Sequence, residues 1–218
     1  MELHPQKLIG HWKEGFALAF HTISSKPIEY AKKIVEEKNP FTGELVKFEI
    51  TDRDKVLKWD TTYTEIGLEL NHLKYREEKE RVNIIAQEAA TFLKSKMEWN
   101  IDLIIPIPPS NTARVFQPVD ELAKAIGTIC NLGVDFNSLK KLKSTSQLKD
   151  IEDPIRRHEI LKDTFDIAPY AFNGKNVLLF DDLYRSGETL NTVCDLINNK
   201  GASKNVYVLT ISKTRSKK

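Results

Sequence analysis

Asp181 and Asp182 stand side by side at the end of an apolar run, in VLLFDDLYRSGETL (177–190). Successive residues of a strand point to opposite faces, so two acids at its end cannot both enter a core. The strand tip therefore reads as the edge of a site. Ser186 and Gly187 then open a helix, whose free N–H groups at 185–189 converge on one spot. The helix dipole adds positive potential there, and Gly187 lets the backbone approach an anion closely. Ser186 and Thr189 add hydroxyl donors. Acids beside a phosphate cradle suit a ligand with vicinal hydroxyls and a phosphate, a ribose 5-phosphate. Each half has a structural alternative: a helix cap with a solvated acid, and an ordinary Ser-Gly turn. The whole order, apolar strand, Asp-Asp, three residues, Ser-Gly, one residue, Thr, is rarer by chance. If the turn at Gly187 faces solvent, a branched side chain there should cost little stability.

Strands and helices must alternate to hold such a tip. Val82, Ile85, Ala86, Ala89, Ala90 and Leu93 follow a helical period, as do Val119, Leu122, Ala123, Ile126 and Ile129, and again Leu190, Val193, Cys194 and Ile197. Between them lie IDLIIPI (101–107), NVLLFDD (176–182) and VYVLTIS (206–212), apolar strands of the kind covered on both faces. SLKKL (138–142) reads as another strand, and Pro154–Leu161 as a short helix. The expected fold is α/β, a doubly wound and mostly parallel sheet, whose ligands bind at the carboxyl ends of the strands. Residues 1–75 are expected to form an N-terminal α+β extension, and 76–218 the main domain. Within the extension Phe16, Leu18 and Phe20 alternate, Lys26–Lys38 reads as a short helix after Ser24–Ser25 with Pro27 in its first turn, and LVKFEIT (45–51) alternates again.

Composition narrows the function classes. Thirty-three basic and 31 acidic residues leave a net charge of +2 in 218 residues. That balance disfavours nucleic acid as a partner without excluding it, since the basic excess sits at Lys213, Arg215, Lys217 and Lys218. Cys130 and Cys194 are too few for a disulfide framework or a four-thiolate zinc site and read as core packing. The five histidines show no metal-ligand spacing and read as structural or surface residues. The longest apolar run falls far short of a membrane span. The expected setting is cytoplasmic, with no membrane partner and with room for a homodimer.

The 177–190 stretch resembles the signature of type I phosphoribosyltransferases, which bind 5-phosphoribosyl 1-diphosphate. Tyr184 stands where a branched apolar residue is usual, and Arg185 where a small one is. IIPIPPSNTARVFQPVDELA (104–123) resembles the ComF-type pattern, with Arg114 and Phe116 matching, Val115 in place of a glycine and Gln117 in place of an asparagine. Gln147, Arg157 and Phe165 match the stretch beyond it, with Ile160 where asparagine is usual, and HLKYR (72–76) also matches. The resemblance spans about residues 70–212. Residues 1–70 lack the cysteine pairs of the ComF zinc finger.

The resemblance implies a phosphoribosyltransferase that transfers the phosphoribosyl group to a nitrogenous acceptor and releases diphosphate. Asp181 and Asp182 would hold the ribose hydroxyls as the catalytic pair. Tyr184, Arg185, Ser186, Gly187, Glu188 and Thr189 would bind the ribose and 5-phosphate. The loop Pro108–Thr112, with Pro109, Ser110 and Asn111, would cradle the diphosphate, and Arg114 would clamp it through a bidentate guanidinium. Mg²⁺ would come with the ligand, held through its oxygens and water with no protein ligand. Lys140–Asp163, with Lys141, Lys143 and Lys149, would form a closing lid, and 1–75 a hood over the acceptor. Trp12, Phe16, Phe20, Trp59 and Tyr63 would there stack on a base or form an aromatic mini-core. The alternatives are a non-catalytic module that binds the same sugar diphosphate and a ComF-like DNA-uptake accessory.

Overall fold

In the computed structural model, residues 1–111, 114–143 and 163–215 are described. The apolar strands assemble where their burial demands, in the middle of a six-stranded sheet. Its order is β1 (Gln6–Lys7), β2 (Glu14–Phe20), β10 (Asn205–Lys213), β9 (Asn176–Tyr184), β5 (Leu103–Pro106) and β6 (Gly133–Val134). β1 runs antiparallel to β2, and every other neighbouring pair is parallel. Val177, Leu178, Leu179 and Phe180 are all fully buried, because helices cover both faces. Val177 and Leu179 pack with Leu190, Val193 and Ile197 of α4 (Glu188–Asn199) on one face. Leu178 and Phe180 pack on the other with α1 (Glu65–Tyr75), α2 (Arg81–Lys94) and α3 (Pro118–Cys130). The architecture is thus α/β, a mixed and mostly parallel sheet with four helices among the described residues.

The three helical periods read from the sequence fall on α2, α3 and α4. α3 begins at Pro118, whose missing N–H costs nothing in a first turn, and ends where Asn131 turns left-handed at φ 54°. α1 was hidden from a periodicity reading by its short length. Its start is clamped: the Thr64 hydroxyl donates to the Phe20 carbonyl at 2.6 Å and accepts from Gly67 N–H at 3.1 Å. Gly67 must be glycine, since a Cβ there would stand 2.0 Å from the His21 carbonyl oxygen.

The N-terminal expectations need correction. The chain divides into Met1–His21 with Thr64–Lys218 as one unit and Thr22–Tyr63 as the other, not at residue 75. β2 and α1 belong to the main unit because Ala17, Leu18 and Leu70 are buried in its core. Lys26–Lys38 is not a helix. It lies in β3 (Thr22–Lys38), which pairs antiparallel with β4 (Leu45–Tyr63) as a long hairpin. A nineteen-residue partner offers cross-strand ion pairs that no local signal shows, Lys32 to Glu49 at 2.9 Å and Lys47 to Glu36 at 2.6 Å. Asn39 turns the chain, its carbonyl accepting from Gly43 N–H at 2.9 Å with Gly43 at φ 74°. The 138–142 strand is also displaced: β7 (Lys140–Lys141) pairs with β8 (Phe165–Asp166) in a separate ribbon, outside the main sheet. The Pro154–Leu161 helix and most of the expected lid lie outside the described residues.

Candidate functional site

β5 and β9 lie side by side and parallel, with Pro106 opposite Phe180. Beyond β5 the chain passes to α3 on one face of the sheet; beyond β9 it passes to α4 on the other. Adjacent strands whose connections part in this way leave a crevice at their carboxyl ends. A cavity of about 410 Å³ occupies that place. It is lined by Pro108, Pro109, Ser110, Asn111 and Arg114 from the loop after β5, and by Asp181, Asp182, Arg185 and Thr189 from the end of β9 and the start of α4. Two segments some seventy residues apart in sequence thus meet in one site. The volume falls within the usual range for small-molecule sites, roughly 300–1,000 Å³.

The loop is held open by its own residues. Ile107 N–H donates to the Phe180 carbonyl at 2.8 Å, fastening the loop's start to β9. Gln117 fastens its end, its side-chain amide donating to the carbonyls of Asn111 at 2.9 Å and Arg114 at 2.7 Å. Gln117, where the ComF-type pattern has asparagine, therefore has a structural task. Thr112 lies outside the described residues.

The two acids differ sharply. Asp182, 8% exposed, pairs with Lys74 of α1 at 2.7 Å. Asp181 accepts the Asp182 backbone N–H at 2.8 Å and faces Lys141 of β7 across the crevice. Burial, and then the charge of Asp182, push the Asp181 carboxyl up to about 7, against the backbone hydrogen bond and the pull of Lys74 and Lys141. Burial in turn holds the Lys141 ammonium below the usual lysine range. Lys141 Nζ also donates to the Ser110 hydroxyl at 3.0 Å, joining the two halves of the cavity. Lys74, Arg114, Lys141 and Arg185 against Asp181 and Asp182 leave the described lining with two excess positive charges. Such a cleft favours an anion.

Sequence reasoning missed Lys74 as a site residue, although it quoted the HLKYR segment that holds it. His21, near Lys74 but outside the cavity lining, sets its ring nitrogen Nδ1 3.1 Å from the Ser212 hydroxyl. Burial, with the nearby Lys74 charge, holds that imidazole below its usual range. Tyr184, Ser186, Gly187 and Glu188 do not line the cavity. Gly187 is buried rather than solvent-facing, at φ 82°, and a Cβ there would meet the Tyr184 ring, 2.5 Å from its hydroxyl oxygen. The first turn of α4 nonetheless leaves backbone donors beside Thr189, with no side-chain cap to occupy them.

The expected hood aromatics do not form one group. Trp12 is buried in the core, donating its indole N–H to the Leu8 carbonyl at 3.1 Å. Phe16 stacks on Trp99 at 6.3 Å. Trp59 and Tyr63 belong to the other unit. Cys194 is core as expected, and burial pushes its thiol up to about 12.

Among the described residues no group of three or more His, Cys, Asp or Glu is placed to hold a metal ion. Among the described residues no helix is long and apolar enough to cross a membrane. No protein-family model matches the chain, and no curated protein matches it either.

Proposed function

We propose that the chain is a phosphoribosyltransferase: it binds 5-phosphoribosyl 1-diphosphate with Mg²⁺ and transfers the phosphoribosyl group to a nitrogenous acceptor, releasing diphosphate. One observation carries the reading. The acid pair at the end of β9 and the Pro108–Asn111 loop after β5 open into a single cationic cavity. Asp181 is set to accept from the ribose hydroxyls. The first turn of α4, with Thr189 and Arg185, suits the 5-phosphate. Ser110, Asn111 and Arg114 suit the diphosphate, with Lys141 beside them. Displacement at the anomeric carbon builds charge on the leaving diphosphate, and fixed cations stabilise it best where water is scarce. Bound Mg²⁺ would supply further neutralisation of that leaving group. The reaction needs no protein nucleophile.

The test is incubation with 5-phosphoribosyl 1-diphosphate, Mg²⁺ and a panel of nitrogenous bases, reading diphosphate release, beside calorimetry of the sugar diphosphate alone. Release dependent on one base supports the transferase. Heat of binding without release under any base supports the non-catalytic module, a reading favoured by Val115 and Ile160 at two altered family positions. No heat at millimolar ligand overturns both.

A further inference from the structure

The hairpin of β3 and β4 is two strands and nothing more among the described residues. Two strands alone are marginal in water; three strands, or a covered face, are needed for independent stability. From Ala31 to Lys38 the pairing with Asp52 to Leu45 is regular, so cross-strand partners share a face. The two faces differ. One carries Lys32, Ile34, Glu36 and Lys38 over Thr51, Glu49, Lys47 and Leu45, laced by the ion pairs already described. The other carries Ala31, Lys33, Val35 and Glu37 over Asp52, Ile50, Phe48 and Val46, with Lys33 paired to Asp52 at 3.4 Å inside the chain. On this second face Val46 (37% exposed), Phe48 (46%) and Ile50 (41%) are consecutive in one row, whereas Ile34 and Leu45 on the first, though 70% and 67% exposed, are separated by charged residues. An apolar strip this contiguous is a docking surface more often than a free one.

The charges say what covers it. Along β3 the second face reads Lys33, Val35, Glu37. Turn a second copy about a two-fold axis that lies between the two faces, crosses the strands and passes at Val35. The strip then meets itself antiparallel, Val35 on Val35 and Phe48 on Phe48. Lys33 of each copy falls opposite Glu37 of the other, twice over. A face that satisfies its own charges under a two-fold axis is the mark of an isologous contact. The hairpin as a whole carries eight basic and eight acidic residues in 22–63, so it attracts no polyanion.

We propose that Thr22–Tyr63 is a dimerisation arm, in which the Val35–Val46–Phe48–Ile50 face packs against the same face of a second copy of this chain. The proposal does not depend on the function proposed for the cavity. The eight regular pairs span about 24 Å, a patch below the roughly 1,200 Å² of a tight interface, so the dimer is a weak one.

The experiment is sedimentation of the full chain from about 1 to 300 µM. A monomer–dimer equilibrium is expected, with a dissociation constant in the tens of micromolar. Phe48→Asp raises that constant at least tenfold, while the main unit's thermal transition stays in place. Glu37→Lys also weakens the dimer, by setting Lys33 against a lysine. Adding Lys33→Glu to it restores the pairing in reversed polarity and recovers part of the loss, the rest going to the Asp52 ion pair that Lys33 gives up. A chain that sediments as a monomer at 300 µM overturns the proposal. So does a dimer indifferent to Phe48→Asp, and so does a double variant no tighter than Glu37→Lys alone. If the monomeric chain instead retains single-stranded DNA and Phe48→Asp abolishes it, the face belongs to nucleic acid and the proposal falls.

Discussion

Asp181 is held where its charge is unwelcome, and that has a measurable sign. Its folded value of about 7 lies above the ordinary 3.8, so the folded chain binds this proton more tightly than the unfolded one. The group's contribution to stability is therefore fully present below about pH 4 and is lost as pH rises through 7. Asp181→Asn removes the buried charge. Thermal melts should show it raising the midpoint at pH 8 and leaving it nearly unchanged at pH 3, with a ceiling of about 4 kcal/mol on the gain. The same variant should weaken 5-phosphoribosyl 1-diphosphate binding tenfold or more, since a charged acceptor is lost. A site that costs stability while serving a ligand behaves this way. Gly187 makes the opposite case. At φ 82° and buried against Tyr184, it leaves a branched side chain no relaxed conformation. Gly187→Val should lower the unfolding free energy by about 1–3 kcal/mol in a urea titration, a penalty that a solvent-facing turn would not show.

At the scale of elements, α1 decides the state of the acid pair. The Thr64 and Gly67 clamp fixes the helix start, and its last turn delivers Lys74 to Asp182 at the end of β9. Breaking a buried pair by removing one partner typically costs about 3–5 kcal/mol, because the other charge is left stranded. Lys74 keeps a fifth of its side chain exposed, so Lys74→Met should cost roughly 2–4 kcal/mol in chemical denaturation. Replacing both, Lys74→Met with Asp182→Asn, should recover much of that loss. If the double variant is no more stable than Lys74→Met, the pair is not what holds Asp182 there. The same comparison shows how legible the site was. VLLFDD and IIPIPP announce two strand ends by composition alone, so Asp181, Asp182 and the Pro108–Asn111 loop could be named from the chain. Lys74 could not, because an ion pair across 108 residues leaves no local pattern.

At the scale of the molecule, the cavity and the hairpin occupy different units, and every described lining residue of the cavity lies in Met1–His21 with Thr64–Lys218. The two ends that the hairpin leaves are already joined: Thr64 N–H donates to the His21 carbonyl at 3.3 Å. Replacing Thr22–Tyr63 with about three Gly and Ser residues should therefore give a chain with the same far-ultraviolet helix signal. It should bind 5-phosphoribosyl 1-diphosphate within about threefold of the full chain. A collapse of the fold on excision would show that the hairpin supports the sheet.

What the chain determined by itself was whatever depends on neighbours in sequence. Continuous apolar runs made β5, β9 and β10 buried strands, and the 3.6-residue period made α2, α3 and α4 helices, since each pattern records which faces of one element meet a core. Adjacency alone also placed two carboxylates near the end of β9, which runs on past them to Tyr184 before the glycine turn. Tertiary structure decided whatever depends on distant partners. Lys26–Lys38 became a strand because β4 supplied its ladder and its cross-strand charges. Met1–His21 joined the main sheet because β10 offered β2 a parallel edge. The two acids took different roles because Lys74 pairs directly with Asp182, while at Asp181 burial and the Asp182 charge outweigh the pull of Lys74 and Lys141. Burial and Coulomb energy act across space, and the order of residues records them only where space and sequence coincide.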